Sequence, residues 1–410
     1  MTSRPFPQSP ASGQIRGSVL LPSADLTVRW LPHAQVSWQD GRISAVQELM
    51  DPAPAEAPLI LPGFVDLHIH WPQSHVRGQF SGQLLPWLRE SIWPAEAEFA
   101  APALATRRAA EFLHATSRAG TCGGLAFGPP FASASAAFQA LAWPGWLEGP
   151  ALMERHAPAE MLQPVAETLA QLEQLPGWQQ RRTAVSPRFA PNVSAEGLAL
   201  CGRKAREAGL AVQSHLSENL DEIAWVAQLF ADASDYSDVY DRAGLLGPHV
   251  VMAHGIHLSD RELARLAATG TLIAHCPTSN EALGSGRMPL ERLRQAGVPW
   301  VLATDIGAGP QLSQLDTMRA FLNIHKGLAD ATATEALCRA SAVPGHWLGQ
   351  FDPSLAGLGS LAVGAPAHLV ALAPVPGDDA ETVLRNVLQA APANTETLPR
   401  AVWVWGQPAF

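Results

Sequence analysis

The stretch Leu61-Pro-Gly-Phe-Val-Asp-Leu-His-Ile-His70 ends an apolar run on two histidines separated by one residue. Side chains alternate faces along an extended chain, so His68 and His70 project from the same side and can converge on one ion. Four later apolar runs end in a similar way: Val212-Gln-Ser-His-Leu-Ser-Glu-Asn219, Val251-Met-Ala-His254, Ile273-Ala-His-Cys-Pro277 and Val301-Leu-Ala-Thr-Asp305. A lone histidine of this kind is most simply a packed or surface residue. Five such endings in order point to groups gathered at one end of a parallel barrel. From His215 onward they recur at intervals of 39, 21 and 30 residues, each enough for a strand, a helix and two loops, and a (β/α)8 barrel carries its site at the C-terminal strand ends.

Outward from this stretch the texture changes twice. From Leu61 to about Gly349, apolar runs alternate with helical stretches such as Ala195 to Ala208 and Asp260 to Ala268, the βα pattern. Residues 14 to 60 read as short strands, with Ala34-Gln-Val-Ser-Trp38, the turn Asp40-Gly41 and Arg42-Ile-Ser-Ala-Val46 forming a hairpin. Short strands return after Gly359, in Ala367-His-Leu-Val-Ala-Leu372 and Arg400-Ala-Val-Trp-Val-Trp405. The expected fold is α/β: a (β/α)8 TIM-like barrel over 61–359 and a small β-sandwich domain built from 14–60 and 360–410. The Pro/Ala-rich stretches Asp51 to Pro58 and Ala390 to Pro399 read as exposed linkers or loops.

The bulk properties permit an enzyme of this type. The 410 residues are 47% hydrophobic and 16% charged, enough to bury a large core. A net charge of -10 argues against a nucleic-acid or anionic-membrane binder. The four cysteines, Cys122, Cys201, Cys276 and Cys338, form no CxxC pair, so no disulfide framework or zinc ribbon is indicated and a cytoplasmic setting fits best. Met1 to Gly13 lacks an apolar signal core, and no run is long and apolar enough to span a bilayer.

With the histidine pair, His215 and Asp305 would add a third nitrogen and a hard oxygen, a set suited to Zn2+ and open to Fe2+ or Mn2+. Asp66 could cap the strand end or orient a ligand. Other metal and phosphate chemistries lack their motifs. There is no H-x-E with P-C-x-x-C, no H-E-x-x-H, and Gly120-Thr-Cys-Gly-Gly124 lacks the Lys-Ser/Thr of a phosphate loop.

The Pro-Gly-Phe-Val-Asp-x-His-x-His opening, the later histidines and Thr304-Asp305 resemble the amidohydrolase superfamily. Phe64-Val-Asp-Leu-His-Ile-His-Trp-Pro-Gln73, Ser186-Pro-Arg-Phe-Ala190, Ser214-His-Leu-Ser-Glu-Asn219, Ala253-His-Gly255, His275-Cys-Pro-Thr-Ser-Asn280 and Gly284-Ser-Gly286 are similar, more narrowly, to the guanine deaminases. That resemblance runs from about Pro62 to Arg319. It implies hydrolysis of guanine to xanthine and ammonia, one Zn2+ per subunit held by His68, His70, His215 and Asp305, and a homodimer. It makes Asp305 the general base and Glu218 the carrier of protons to the ring nitrogen and the leaving ammonia. His254 would orient the water, or be a fifth ligand or a histidine behind the ligands.

Contacts to the base are expected from His70, Trp71, Pro72, Gln73, Arg188, Phe189, His215, Glu218 and Asp305. A carboxamide at Gln73 meets both donors and acceptors, Arg188 offers fixed donors to a ring carbonyl, and Phe189 and Trp71 could pack on the flat base. Trp71 has an equal claim as core packing. Binuclear members of the superfamily use a carboxylated lysine at a middle strand end; the two lysines here, Lys204 and Lys326, fall in helical or loop stretches, so one metal is expected. His275 reads as a pocket-wall group or a histidine behind the ligands rather than a ligand, His75, His257 and His325 as surface or loop histidines, Cys276 as a small buried hydrophobe. Glu281 stands where relatives tend to carry an apolar residue and would alter substrate choice if it faced the pocket. His368 replaces an Asp in a structural segment. The rival readings are an aminohydrolase of another ring (8-oxoguanine, a pterin or a triazine) and a non-catalytic barrel used as a binding module.

Overall fold

The computed structural model describes residues 11–80 and 82–409; Met1–Pro10 of the Pro/Ser-rich start lies outside them. Four strands come first: β1 (Gly13–Pro22), β2 (Val28–Gln39), β3 (Arg42–Glu48) and β4 (Leu59–Pro62). Eight more alternate with helices: β5 (Phe64–His70), β6 (Thr121–Gly128), β7 (Trp146–Pro150), β8 (Ala184–Val185), β9 (Ala211–Leu216), β10 (Val250–His254), β11 (Leu272–His275) and β12 (Trp300–Leu302). The chain finishes with β13 (Leu369–Leu372), β14 (Ala401–Val404) and β15 (Gln407–Pro408).

β5 to β12 are all parallel, in the orders β5-β6-β7 and β8-β9-β10-β11-β12. The two sheets meet at both edges. Parallel bridges Glu148–Thr183 and Leu152–Pro187 join β7 to the β8 side. Asp305 N donates to His68 O at 3.0 Å and His70 N to Ile306 O at 2.6 Å, joining the end of β12 to β5. One apolar cluster draws on every one of these strands, with Val65, Leu125, Leu147, Ala184, Ala211, Val251, Leu272 and Val301. These side chains pack together between the strands, as the interior layers of a barrel of this type do.

Asp66 is fully buried and ties the seam. It accepts from His68 N at 3.2 Å and from Thr304 N at 3.3 Å and Oγ1 at 2.5 Å, fastening the histidine-bearing strand to the end that carries Asp305. Burial pushes its pKa up to about 7, against the pull of those donors.

The terminal segments form one seven-stranded sheet, ordered β15-β14-β13-β4-β1-β2-β3, with a small core of its own around Val19, Val36, Trp38, Ile60 and Leu369. The expected hairpin is present: Gln39 pairs with Arg42 across Asp40 and Gly41, both at positive φ (50° and 73°), as a tight turn matched to strand twist requires. The C-terminal segment also holds a helix, Ala380–Ala390, which a strand-only reading does not include. Its Glu381 accepts from Ala333 N and Thr334 N, capping the helix Ala333–Arg339 of the barrel side. Among the described residues no helix is long and apolar enough to cross a membrane.

Candidate active site

Two histidines of β5, one of β9 and the carboxylate just after β12 converge. His68 Nε2 lies 3.2 Å and His70 Nε2 3.4 Å from Asp305 Oδ1, and His70 Nε2 lies 3.2 Å from His215 Nε2. One donor atom from each of the four residues falls within 4.8 Å of the others. Burial lowers the pKa of His68 and takes His70 and His215 well below the ordinary range, so the imidazoles are neutral, the form that binds metal.

Whether an ion fits is answered by the unmet donors. Both nitrogens of His68 are buried without a hydrogen-bond partner, although Asp305 stands beside Nε2. A cation shared with the carboxylate would partner Nε2, and three imidazoles with one hard oxygen suit zinc. His215 Nδ1 donates to Arg188 O at 2.6 Å, which fixes the tautomer and turns Nε2 to the cluster. Cys276 shares a second grouping with His254 and Asp305, but its Sγ faces Ala274 O and burial raises its pKa far above neutrality. Neither lysine approaches: Lys204 pairs with Glu173 on the helix Ala195–Ala208, and Lys326 is exposed.

The proton-handling groups stand on the other side of Asp305. Its Oδ2 accepts from Ser279 Oγ at 2.5 Å and lies 3.9 Å from His254 Nε2. His254 Nε2 is 3.4 Å from Glu218 Oε2, and its Nδ1 bonds Asn280 Oδ1 at 3.0 Å. Burial opposes a charge on His254, yet Glu218, Asp305 and Asn280 outweigh it and hold the pKa above its ordinary value. Burial raises the Glu218 pKa, helped by Asp305 and opposed by His254 and by Ser285 Oγ, which donates at 2.9 Å.

Local sequence explains why these groups aim inward. Asn219 and Glu222 form a capping box for the helix Leu220–Leu229, which anchors the backbone next to Glu218. Ser217, His254 and Asp305 all sit at positive φ (51°, 73° and 51°). Each such residue carries strain of roughly 1–3 kcal/mol, and a cluster of them at strand ends is a mark of function.

These groups open into a cavity at the C-terminal ends of the strands, where a barrel of this kind carries its site. Its polar lining is His70, Gln73, Arg188, His215, Glu218, Glu222, His254 and Asp305; Leu84, Trp87, Leu88, Phe189, Leu283 and Ala308 supply the apolar wall. Gln73 and Arg188 are not free-standing. Gln73 Nε2 donates to Glu96 Oε1 at 2.7 Å, Gly307 N donates to Gln73 Oε1 at 3.1 Å, and Arg188 Nη1 donates to Glu96 Oε2 at 2.5 Å. No sequence motif singled out Glu96. It lies in a short helix, Trp93–Ala97, with no strand-end signature, and the single signal was a charged residue in an apolar, tryptophan-rich stretch.

Several expectations are corrected by placement. Trp71 and Pro72 do not reach the cavity: Trp71 is buried against Phe99 and Phe138 and donates to Glu148 Oε1 at 3.3 Å. His68, expected as a metal ligand and not as a contact to the base, is fully buried and does not line the cavity. His275 turns away to meet His325 Nε2 at 3.1 Å, so it is not a pocket-wall group, and His325 is fully buried rather than superficial. Their partners on the helix Gln314–Ile324 are set by tertiary packing, which a strand-end pattern does not encode. Glu281 is exposed and outside this cavity. His368 is buried against Trp405, with its pKa lowered to about 3 by burial.

Known proteins are similar to this chain in sequence and in fold. The chain is 39% identical over 268 residues to the guanine deaminase of Escherichia coli (strain K12) and 41% identical over 265 residues to a probable guanine deaminase of Deinococcus radiodurans. Each match takes in 63% of this chain and spans only 61% and 60% of those relatives' lengths. Among solved structures, E. coli guanine deaminase superposes with a TM-score of 0.87 at 28% identity, covering 98% of this chain and 99% of that one. A guanine deaminase from C. acetobutylicum with bound guanine in the active site superposes with a TM-score of 0.86 over 98% and 100% of the two chains; at 24% identity this likeness speaks for the fold. The amidohydrolase family model matches residues 59–404. Because that match runs from β4 through β14, and so includes every strand that delivers a donor to the cluster, the chain belongs to the amidohydrolase family.

Proposed function

We propose that this chain hydrolyses guanine to xanthine and ammonia with one zinc ion per chain, held by His68, His70, His215 and Asp305. The observation that carries the reading is a cavity lined together by three of these donors, His70, His215 and Asp305, by Glu218, and by Gln73 and Arg188. The similarity to guanine deaminases supports it.

When bound, the ion lowers the pKa of a water toward neutrality. Asp305 divides its labour: Oδ1 faces the histidines, while Oδ2, steadied by Ser279, takes the proton of the attacking water. Glu218 hands its proton to the ring nitrogen beside the attacked carbon, takes up the proton that Asp305 drew from the water and passes it to the departing amine, and recovers the hydroxyl proton as the new carbonyl forms and ammonia leaves, so water and guanine become xanthine and ammonia with both carboxyls restored. Burial favours its protonated form, which suits it to donate first. His254, between Glu218 and Asp305, orients the water and balances the two carboxylates. Arg188 meets the ring carbonyl, Gln73 meets an edge carrying both a donor and an acceptor, and Phe189 packs on the base. Leu84, Trp87 and Leu88 keep bulk water out. The homodimer and the cytoplasmic setting belong to the same proposal; the first rests on the resemblance, the second on four buried cysteines that are all free.

The test is ammonia release from guanine by the zinc-loaded protein, followed together with xanthine formation in the ultraviolet and metal analysis. Rapid turnover with one ion per chain is expected. No turnover by metal-replete protein would move the assignment to another ring, and two tightly held ions per chain would overturn the mononuclear site.

A further inference from the structure

Glu96 is 1% exposed, and both of its oxygens are committed. Oε1 receives the Gln73 amide and Oε2 receives the Arg188 guanidinium. These two cavity groups stand on different barrel segments, one just after β5 and one just after β8, and the carboxylate that joins them arrives from a third, the helix Trp93–Ala97. The Gln73 carboxamide is thereby fixed in one orientation: nitrogen toward Glu96, oxygen toward Gly307 N. One amide hydrogen and one oxygen lone pair remain for a ligand, in a set order. Arg188 keeps its remaining donors, held by a buried charge-assisted bond.

We propose that Glu96 is a positioning residue for ring recognition. By locking Gln73 and Arg188 together, it makes the cavity select a purine that bears a ring carbonyl over one that lacks it. The inference rests on the proposed action on purines, and it deepens that reading to the level of which purine edge is read. Without the carboxylate the amide can reverse, exchanging its donor and acceptor, and the guanidinium loses the partner that aims it.

The experiment compares binding of hypoxanthine, which has the ring carbonyl, with purine, which lacks it. Neither carries an exocyclic amine, so neither is deaminated. Titration calorimetry on zinc-loaded wild type and Glu96→Gln gives both constants. Wild type should bind hypoxanthine more tightly than purine, and Glu96→Gln should raise the hypoxanthine Kd by about 10-fold or more, as expected for a bond to a charged group, with purine unchanged within about two-fold. A structural defect would weaken both probes together, and that result overturns the proposal. So does a wild type that does not distinguish the two, or a variant that binds both as wild type does. If Glu96→Gln does not fold, Glu96→Asp decides: the charge is kept but the shorter arm cannot span both partners, so a selective loss for hypoxanthine is again required. Absence of ammonia from guanine would remove the proposed reaction, while the hypoxanthine-to-purine ratio would still test the role of Glu96 independently.

Discussion

Glu218→Gln separates proton transfer from architecture. The side chain is 2% exposed and is not a member of the donor cluster. Its polar contacts are Ser285 Oγ at 2.9 Å and His254 Nε2 at 3.4 Å. Glutamine has the same length, keeps an oxygen for Ser285, and replaces a carboxyl that burial already disfavours as an anion. Stability should therefore change by no more than about 1 kcal/mol, a shift in Tm of about 2 °C for a chain of this size. Metal content should be unchanged. Glutamine cannot donate and recover a proton, so kcat should fall by about 10²- to 10⁴-fold, equivalent to about 3–5 kcal/mol of barrier. The assays are ammonia release at saturating guanine, a thermal melt and metal analysis on the same preparation. Full activity would refute the proton-carrier role; loss of metal or fold in step with activity would show that Glu218 acts in the architecture instead.

Two further outcomes follow from buried groups away from the donors. Burial pushes the Glu148 pKa from 4.5 up to about 7, against the bonds from Trp71 and Ser135. A carboxyl raised on folding contributes fully below about pH 4.5 and loses that contribution as pH rises through about 7. Denaturant titrations at pH 5 and pH 8 should show wild type losing stability of order 3 kcal/mol from this group, and Glu148→Gln should shrink the difference by about that amount, Asp66 still contributing its own share; parallel profiles for the two proteins would be inconsistent with a raised pKa. Trp71→Ala should cost about 3–5 kcal/mol, because the indole fills the space between Phe99 and Phe138. The milder Trp71→Phe should lower Tm and leave KM for guanine within about two-fold. A ten-fold rise in KM without a change in Tm would return Trp71 to the cavity.

The sequence by itself determined the donor set and its scaffold. His68 and His70 face one way because strand side chains alternate, and the short apolar runs before His215, His254 and Asp305 read as interior parallel strands. The hairpin at Asp40-Gly41 was equally legible, since two residues must adopt positive φ there. Tertiary structure alone decided which neighbours those side chains meet. Trp71 follows His70 directly, yet its indole turns into the core, while Gln73, two residues further on, lines the cavity. His275 ends a strand like the others but points outward to His325, a partner 50 residues away. Glu96 became part of the site only when its own segment, unremarkable in its local pattern, packed against the segments that carry Gln73 and Arg188. Alternation and apolar runs are properties of adjacent residues and are written locally. A carboxylate that joins residues 23 and 92 positions away arises from how segments pack, and no local period records it.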